Sequence, residues 1–579
     1  MSRLLPLERS TDVVSLTIEV NGNELPRTVA ILGVIVVRQV NRIPYARLQI
    51  TDGDPALGDF AQSTGDYFVP GNELTIHAGY HGETKPIFTG IVLCQRLVVR
   101  RNNSWLEVEC RDPAFKMTLS RHNRYFEEVK DSDVAETLLG EYSLTADITA
   151  TEVTHPQLLQ YQASDWDFLL NRLEANGQVV VVQDKTVHSV KPNLDEEPDA
   201  DITYGATLLE LDAELDARSQ SGAIRSLAWD PAQQSLQEAE ASAPAWVGNG
   251  NLTVDDLIKA TDRHEDLLWH GGSIATDALQ AWADGAMLRA RLAVSQGCAR
   301  FQGFPNIQPG HVLQLSSLSK RFNGKVYVSG VRHEFSNNNW ITDAEFGLPR
   351  RTQSDQFEVN HLPAAGLVPA VCGLQVGVVT QLASDPAGEH RIRVKIPLAG
   401  MDEQGVWARV ATLDAGGDRG TFFRPEVDDE VVLGFFHSDP AQPVVLGMLH
   451  SSAKAPPLEA TEDNHQKTYV SRSGIALLFD DDQKVVSLVT PGGNTLTLSD
   501  ADSGIVLEDQ NGNKLTMNQD GIELSSAKEL KLIAKTDLKG EGMNTELKAS
   551  VGLKAAGTAS AEVTSSGTMT VKGSLVQIN

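Results

Sequence analysis

The chain has 579 residues, of which 41% are hydrophobic, and this is enough to bury the cores of several domains. Its 77 acidic residues outnumber the 49 lysines and arginines, which gives a formal charge of -28. A surface of this sign repels phosphate backbones, so the composition excludes nucleic acid as an expected partner.

The N-terminus lacks the pattern of a leader peptide. Leu4, Leu5 and Leu7 are followed directly by Glu8, so that no continuous apolar run forms. No stretch elsewhere approaches the roughly 18 apolar residues that a membrane-spanning helix needs. We therefore expect no signal peptide and no membrane span, and we expect synthesis in the cytoplasm.

The cysteines are sparse and form no CxxC pair. Cys94, Cys110, Cys298 and Cys372 are predicted to be small buried hydrophobic residues in a protein of a reducing compartment. This spacing does not favour a disulfide framework or a metal site.

The segment from Val13 to Cys110 alternates apolar and polar residues in short runs that are separated by Asn-Gly and Asp-Gly turns. This pattern predicts a small antiparallel barrel or sandwich. A short helix is expected over residues 133–140, because Asp133 and Glu136 have the spacing of a capping box.

The clearest helix signal lies in the stretch "YQASDWDFLLNRLEANGQVVVV". Ser164 is the expected N-terminal cap, and Asn176-Gly177 supplies the left-handed residue at which the helix ends. Its apolar residues recur with helical spacing and are expected to pack in a core: Trp166, Leu169, Leu170 and Leu173.

Residues 186–250 are acidic, rich in Pro and Ala and weakly periodic, so we expect long loops or an excursion on the surface there. A second capped helix is expected from Thr276, and strands that end near Leu348 follow it. The apolar face of this helix consists of Leu279, Trp282, Ala283 and Ala286. Together these features predict a second domain of mixed type.

The Pro, Gly and Ala content of residues 351–373 predicts a linker. Residues 374–450 then contain five short apolar strands with Gly and Pro at the corners, among them "HRIRVKIPL" and "PVVLGML". Their number and length predict an OB-type barrel.

The stretch "GNTLTLSDADSGIVLEDQNGNKLTMNQDGIELSS", Gly493 to Ser526, alternates with a period of two and is broken by Gly-containing turns. No Phe, Tyr or Trp follows Phe479. Short strands without aromatic volume predict a narrow interior, and one chain alone would leave the aliphatic face in water.

The barrel carries several features in a characteristic order. "WARVATLDAGGDRGTFFRPEVDDEVVLGFFHSDPAQPVVLG", Trp407 to Gly447, resembles the OB-fold of VgrG-type spike proteins, the hub and needle of contractile injection machines and phage tails. The resemblance is carried by Trp407, Arg409, Gly420, Pro425, Asp429, Glu430 and Pro440.

The resemblance extends over nearly the whole chain. "YQASDWDFLLNRLEANG" and "FNGKVYVSGVRHEF" resemble the tail-hub domain of this family, and "SRSGIALLFDDDQ" resembles the start of its needle. "NRIPYARLQITDGDPALGDF" is closest to spikes of extracellular, phage-tail-like injection systems.

The resemblance implies a mainly β protein with a few helices, divided into a tail-hub double β-barrel region, an OB-fold barrel and a C-terminal trimeric β-helix or β-prism needle. The expected domains are a first tail-hub β-barrel (1–130), a second tail-hub α+β barrel domain (131–350), the linker (351–373), the OB-fold (374–450), a neck (451–490) and the needle (491–579).

The family architecture implies a homotrimer that caps the inner tube, nucleates the baseplate and pierces the target envelope without a membrane-spanning helix. Expected partners are the inner tube and baseplate proteins, cargo or effectors, and a PAAR-type tip protein. The tip protein would sit on Val576, Gln577, Ile578 and Asn579. The trimer core would contain Leu496, Leu498, Ile505, Leu507, Leu515, Met517, Ile522, Leu524, Leu530, Leu532, Val551, Leu553, Val563 and Val571.

No catalytic, metal or cofactor site is predicted. In "HEDLLWH", His264 and His270 are six residues apart, whereas a zincin helix needs a spacing of four. "AGGDRG" from Ala415 lacks a phosphate-loop lysine and is expected to be a barrel loop. Glu508 and Asp509 could form a glycosidase pair, but without an aromatic platform for sugars they are expected to be turn carboxylates.

Three functions are considered for this chain. The first is the non-enzymatic spike and hub of an extracellular injection machine, carried into the particle and released or delivered to the target envelope on firing. The second is a type VI secretion or prophage tail spike of the same architecture. The third, from another class, is a polysaccharide-cleaving tailspike enzyme.

Overall fold

The computed structural model describes residues 13–244, 248–400 and 404–578. The N-terminal leucines and Asn579 lie outside the described residues. The chain forms two compact units. The first contains the described residues up to Ala370 together with His437–Asp439, and the second contains the remainder.

The first unit is built mainly from strands. They are β1 (Val14–Val20), β2 (Asn23–Glu24), β3 (Ile31–Gln39), β4 (Tyr45–Thr51), β5 (Glu73–Tyr80), β6 (Glu83–Val99), β7 (Ser104–Arg111), β8 (Arg121–Lys130), β9 (Thr145–Ile148), β10 (Thr154–Ser164), β11 (Val179–Gln183), β12 (Thr186–Val190), β13 (Asp201–Thr203), β14 (Leu208–Leu215), β15 (Ala223–Asp230), β16 (Ser235–Glu240), β17 (Glu265–His270), β18 (Ser295–Gln302), β19 (Val312–Ser316), β20 (Gly324–Ser336) and β21 (Asn339–Phe346). The helices are α1 (Ala61–Thr64), α2 (Asp131–Glu141), α3 (Asp165–Ala175), α4 (Val254–Thr261), α5 (Thr276–Leu292) and α6 (Gln353–Gln356).

A thirteen-stranded sheet runs through the first unit in the order β14-β18-β21-β20-β3-β4-β7-β6-β5-β1-β2, with β13 and β19 joined to it beside β20. The N-terminal strands pair antiparallel, as their alternation predicts. The antiparallel pair β3 and β20 continues the sheet into the later strands, with Val34 opposite Phe335. One core cluster includes β1, β3–β7 and the fully buried Trp340 of β21.

Helix α3 confirms the predicted cap, stripe and stop. The Ser164 hydroxyl accepts a hydrogen bond from the Asp167 backbone N–H at 3.1 Å. Gly177 has a φ of +70°, the left-handed conformation predicted for the end of the helix. The stripe of Trp166, Leu169, Leu170 and Leu173 is buried in a core that it shares with α2, β11 and β12.

The other two predicted helices exist, but the predicted caps are wrong. α2 begins at Asp131, and the Asp133 carboxylate accepts the Lys130 backbone N–H at 3.2 Å, so Asp133 is the third helical residue. α5 begins at Thr276 as predicted, but its cap position is occupied by Ala275, which makes no side-chain hydrogen bond.

The prediction of long loops over residues 186–250 is wrong. The segment contains β12 to β16, and β14 forms one edge of the large sheet by pairing with β18. The error has a physical cause, because β14 (LLELDAEL) and β16 (SLQEAE) are largely exposed. In β14 exposed acidic residues alternate with half-buried ones, and in β16 only Gln237 and Ala239 are turned away from water. Half-exposed strands of this kind carry little apolar signal.

The cysteines are free, but the prediction that all are buried is wrong. Cys110 is buried in the core and Cys298 is half-buried, whereas Cys94 and Cys372 are exposed. Burial raises the pKa of the Cys110 thiol to about 12.

The second unit begins with the predicted barrel. Its strands are β22 (Gln375–Gln381), β23 (Ile392–Lys395), β24 (Val406–Val410), β25 (Ala415–Gly416), β26 (Arg419–Gly420), β27 (Glu430–Phe435) and β28 (Pro443–Met448). β22, β23, β24, β28 and β27 close into a barrel, and β25 and β26 form a small hairpin outside it. The barrel core is aliphatic and includes Val379, Ile392, Val394, Val431 and Leu433.

A seven-stranded antiparallel meander follows the barrel. Its strands are β29 (Gln466–Val470), β30 (Ala476–Asp480), β31 (Val485–Val489), β32 (Thr495–Ser499), β33 (Gly504–Glu508), β34 (Lys514–Asn518) and β35 (Gly521–Ser525). Each strand pairs with the next strand of the same chain. The described residues from 526 to 578 contain no assigned strand or helix. Among the described helices, none combines the length and apolar character needed to cross a bilayer.

Candidate functional site

The predicted aliphatic residues of the meander lie in register on one face. Leu496 is opposite Leu507, Leu507 is opposite Leu515, and Leu515 is opposite Leu524. A parallel row consists of Leu498, Ile505, Met517 and Ile522. Directly opposed residues on adjacent strands point to the same side, so the eight predicted residues form two continuous rows.

The two rows begin earlier in the chain than Leu496, and they include residues of the stretch "SRSGIALLFDDDQ", which resembles the start of the family's needle. The first row continues through Leu488 and Leu477 to Tyr469, and the second continues through Val486 and Phe479. The same period of two occurs in "KTYV" and "ALLFD", and this signal could have extended the face into the predicted neck. We call the two rows on β29 to β35 the aliphatic face.

The aliphatic face is exposed in the single chain. Leu507 is 52% exposed and Ile522 is 76% exposed, while Leu515 and Met517 are half-buried. A continuous apolar surface of this kind is rare on a monomer and indicates a contact with another protein surface.

The remaining predicted core residues lie beyond the strands. Leu530, Leu532, Val551, Leu553, Val563 and Val571 are all exposed, and the single chain brings none of them onto a strand face within the described residues. Of the predicted tip seat, Val576, Gln577 and Ile578 are exposed, and Asn579 lies outside the described residues.

The barrel residues that carry the resemblance occupy structural positions. Trp407 and Arg409 lie on β24, and the Trp407 ring is 5.8 Å from the Arg393 guanidinium. Gly420 ends β26 with a φ of +124°, and a Cβ there would overlap the Asp414 carbonyl oxygen. Pro440 lies half-buried in the connection from β27 to β28.

The chain turns at a corner formed by residues 422–430, before β27. The Arg424 guanidinium donates to the carbonyl oxygens of Leu382 and His390, both at 2.6 Å, and lies 4.8 Å from the Phe422 ring. Pro425 is buried beside it. Arg424 therefore ties the corner to the connection between β22 and β23.

Asp429 closes the corner. Its carboxylate accepts the Glu426 backbone N–H at 2.8 Å and the Lys454 ammonium at 2.9 Å. Burial raises the pKa of Asp429, but the hydrogen bonds from Lys454 and Glu426 outweigh this effect and hold the pKa below its ordinary value. Glu430 then begins β27 opposite Val378 of β22.

The corner also contacts the first part of the meander. Arg472 forms an ion pair with Glu426 at 3.0 Å, and the Phe423 ring contacts the Tyr469 ring at a centroid distance of 4.9 Å. Tyr469 belongs to β29, so these two contacts connect the barrel to the first strand of the aliphatic face. Sequence reasoning missed them, because residues that meet across a corner carry no shared periodicity.

The residues considered for chemistry do not form a reactive arrangement. "HEDLLWH" lies on strand β17 and not on a helix. The Asp509 carboxylate accepts hydrogen bonds from the side chain and backbone N–H of Asn513, which lower its pKa to about 2, and Glu508 pairs with Lys514 at 3.5 Å. No cluster of His, Cys, Asp or Glu able to hold a metal ion occurs among the described residues.

Three sequence-family models match the chain. Residues 10–337, more than half of the chain, match the Alg8 N-terminal domain. Residues 375–450 match the type VI secretion system/phage-baseplate injector OB domain, and residues 484–579 match the phage baseplate V C-terminal trimerisation domain. The second match coincides with the closed barrel, and the third includes β31 to β35.

Solved structures with similar folds include a 43 kDa tail protein of prophage MuSo2 from Shewanella oneidensis, with 8% identity, a TM-score of 0.45, and coverage of 58% of this chain and 99% of that one. A type VI secretion component from E. coli has 13% identity, a TM-score of 0.36, and coverage of 75% and 99%. VgrG in the Francisella PdpA-VgrG complex has 10% identity, a TM-score of 0.39, and coverage of 90% and 89%.

The three family models together extend over most of the chain. The closed barrel and the C-terminal strands lie where two of these models place an injector OB domain and a trimerisation domain. The chain therefore contains an Alg8 N-terminal domain, an injector OB domain and a phage baseplate V trimerisation domain, and it belongs to the VgrG-type spike proteins of phage baseplates and type VI secretion systems.

Proposed function

We propose that this protein is the trimeric hub and spike of a contractile injection machine. The hub, residues 1–350 with its two barrel domains, caps the inner tube and nucleates the baseplate. The needle, residues 491–579, concentrates the force of contraction on a small area of the target envelope. The linker, the OB-fold and the neck connect these two parts.

The single observation that carries this proposal is the exposed aliphatic face in register across β29 to β35. Three copies that turn this face toward a common axis would remove it from water, and burial of apolar area contributes roughly 25 cal/mol per Å². The absence of aromatic residues after Phe479 fits the narrow interior that such a shared core allows.

In this arrangement the distal aliphatic residues, from Leu530 to Val571, would enter the same core once three chains are present. Strands that pair between chains would also leave no open edge along the needle. The C-terminal residues 576–579 would then form a small threefold platform, on which a PAAR-type tip protein sits.

The corner at Arg424 and its contacts with β29 support a mechanical role for the barrel. Force that passes along the needle must pass through this connection, and two hydrogen bonds, one ion pair and one ring contact reinforce it. We propose no catalytic role for the chain. Turnover of envelope glycans that one carboxylate substitution abolishes would contradict this and favour the tailspike enzyme.

The solution mass at low and high salt tests the proposal. Each chain carries a formal charge of -28, so three chains repel one another, and added salt screens this repulsion. We expect a trimer that becomes tighter as the salt concentration rises. A monomer under both conditions would remove the basis of the proposal.

We propose further that the protein is made in the bacterial cytoplasm and built into an extracellular, phage-tail-like particle. A type VI or prophage spike of the same architecture is the alternative. Purification of particles from the culture medium, followed by detection of this chain in them, separates the two. A chain that stays with the cells after contraction would favour the type VI alternative.

A further inference from the structure

A small sheet in the first unit has one covered face and one bare face. β16, β15 and β17 form this three-stranded sheet, and its inner face packs against α5. Ile224 contacts the cluster of Met287 and Ala290, and Ala228 lies in a cluster with Leu279. Within the described residues, the fold therefore covers this side of the sheet.

The outer face of this sheet is apolar and aromatic. Trp229 is directly opposite Leu236, and Leu227 is directly opposite Trp269, so these residues share one side. Trp269 is 61% exposed, Leu236 is 51% exposed and Trp229 is 42% exposed. With Leu267, which is 37% exposed, these residues form what we call the tryptophan face.

Two exposed tryptophans on one small sheet are unusual for a surface that stays in water. Tryptophan is largely buried on average in folded proteins, and it is enriched at the centres of protein–protein interfaces, where it fills a pocket on the partner. A tryptophan side chain also has only two χ angles, so it loses little conformational entropy when a partner binds.

Charged residues surround the tryptophan face. Arg225 is the basic residue beside it, and it is paired with Glu265 and, at 3.1 Å, with Glu238. Glu240 lies opposite Arg225 on β16. Among the described residues on this side of the sheet, the three carboxylates of Glu238, Glu240 and Glu265 against one guanidinium make the rim of this face acidic.

We infer that the tryptophan face is the docking site of a different protein of the injection machine, whose surface has an apolar centre and a rim of lysines and arginines. Charge complementarity with the acidic rim favours such a partner. A second copy that docked through the same face would bring its own Glu238, Glu240 and Glu265 against this rim, and these like charges repel. The inference rests on the proposed function, since the partner is sought among the proteins of the assembled machine.

Site-specific crosslinking in intact particles tests the inference. The photoreactive residue benzoylphenylalanine is introduced in place of Leu236, the particles are purified and irradiated, and the crosslinked peptide is identified by mass spectrometry. We expect a crosslink to another machine protein, within a segment rich in lysine and arginine. The same residue in place of Glu136, an exposed position on α2 away from this sheet, serves as the matched control and is expected to give no such crosslink.

A charge-reversal variant tests the role of the acidic rim. Glu238→Lys combined with Glu265→Lys is expected to lower the crosslink yield roughly tenfold, because the reversed charges repel a basic partner. Glu136→Lys, the matched control, is expected to leave the yield unchanged. The double variant is expected to fold, since surface ion pairs contribute only about 1 kcal/mol or less to stability. Thermal unfolding of the free protein checks this.

The two proposals fail in different ways. A particle that contains the chain but gives no crosslink at position 236, or a crosslink to a second copy or to an acidic protein, overturns the inference and leaves the proposed function standing. Particles that lack the chain overturn both. A yield that is unchanged by the rim variant also overturns the inference, since it removes the electrostatic argument for the partner.

Discussion

Leu496 and Leu507 lie directly opposite one another on β32 and β33, and they are 36% and 52% exposed. Both belong to the aliphatic face, which is continuous over seven strands. Among the described residues, one chain thus exposes a continuous apolar face, and the proposed trimer is the arrangement that would cover it.

The first prediction concerns Leu507, at the centre of this face. Leu507→Lys is expected to abolish the trimer, because burial of an unpaired ammonium group costs about 3 kcal/mol or more at each of three sites. Light scattering coupled to size-exclusion chromatography measures the mass. Glu523→Lys, which places the same residue on the other face of the meander, is the control and is expected to remain trimeric. A trimeric L507K variant would mean that the aliphatic face is not the trimer core.

The second prediction concerns the C-terminus. Deletion of residues 575–579 is expected to release the tip protein, because it removes the proposed platform, while the trimer persists through the aliphatic face. Co-purification of the tip protein and the solution mass are measured together. Loss of the trimer on this deletion, or retention of the tip protein, would contradict the proposed seat.

The third prediction concerns the corner. Arg424→Ala is expected to destabilise the barrel by about 2 kcal/mol, because two carbonyl oxygens lose a charged donor and the stacking on Phe422 is lost. Denaturant unfolding measures this loss of stability, from the transition in which the second unit unfolds. Arg419→Ala is the matched control, since Arg419 forms only an exposed pair with Asp414, and we expect a change below about 0.5 kcal/mol. Equal effects of the two substitutions would remove the special role of Arg424.

The fourth prediction is a pH dependence that arises from Asp131, a buried carboxylate at the start of α2. Burial raises its pKa, but hydrogen bonds from His155, Arg172 and Asn176 outweigh this effect and lower the pKa to about 2. A lowered pKa in the folded state means that ionised Asp131 stabilises the fold above about pH 4. This contribution is lost as the pH falls toward 2.

Asp131→Asn is therefore expected to lower the free energy of unfolding at pH 6 by about 2 kcal/mol and to flatten its decline between about pH 4 and pH 2. Urea unfolding followed by tryptophan fluorescence, to which Trp166 of the adjacent core cluster contributes, provides the measurement. Asp216→Asn removes a surface pair with Arg218 and is expected to change little. Identical pH profiles for the wild type and D131N would contradict the assignment.

Local signals in the sequence were sufficient for the elements whose residues lie close together along the chain. Ser164 and Gly177 bound α3 as predicted, because a cap and a left-handed stop act on their own helix. The strands of the meander were predicted for the same reason, since each one pairs with its neighbour in sequence.

Features that depend on distant partners could not be predicted in this way. β14 is recognisable as a strand only beside β18, and Asp131 meets Arg172 from an element 41 residues away. The tryptophan face is a similar case, because Trp229 and Trp269 come together only through the parallel pairing of β15 with β17. Neither tryptophan differs from a core residue in its local sequence.

The pairing of β3 with β20 has a consequence for how the protein is made. Val34 lies opposite Phe335, so the middle of the large sheet stays unpaired until the ribosome has synthesised nearly the whole first unit. At roughly 10 residues per second this wait is about half a minute, during which an apolar strand edge is open to misassembly. The meander pairs only sequential hairpins, so its contacts form within microseconds of emergence. The slow step in biogenesis should therefore be completion of the N-terminal sheet. Nascent chains that are halted before β20 should depend on chaperones more strongly than chains that include it.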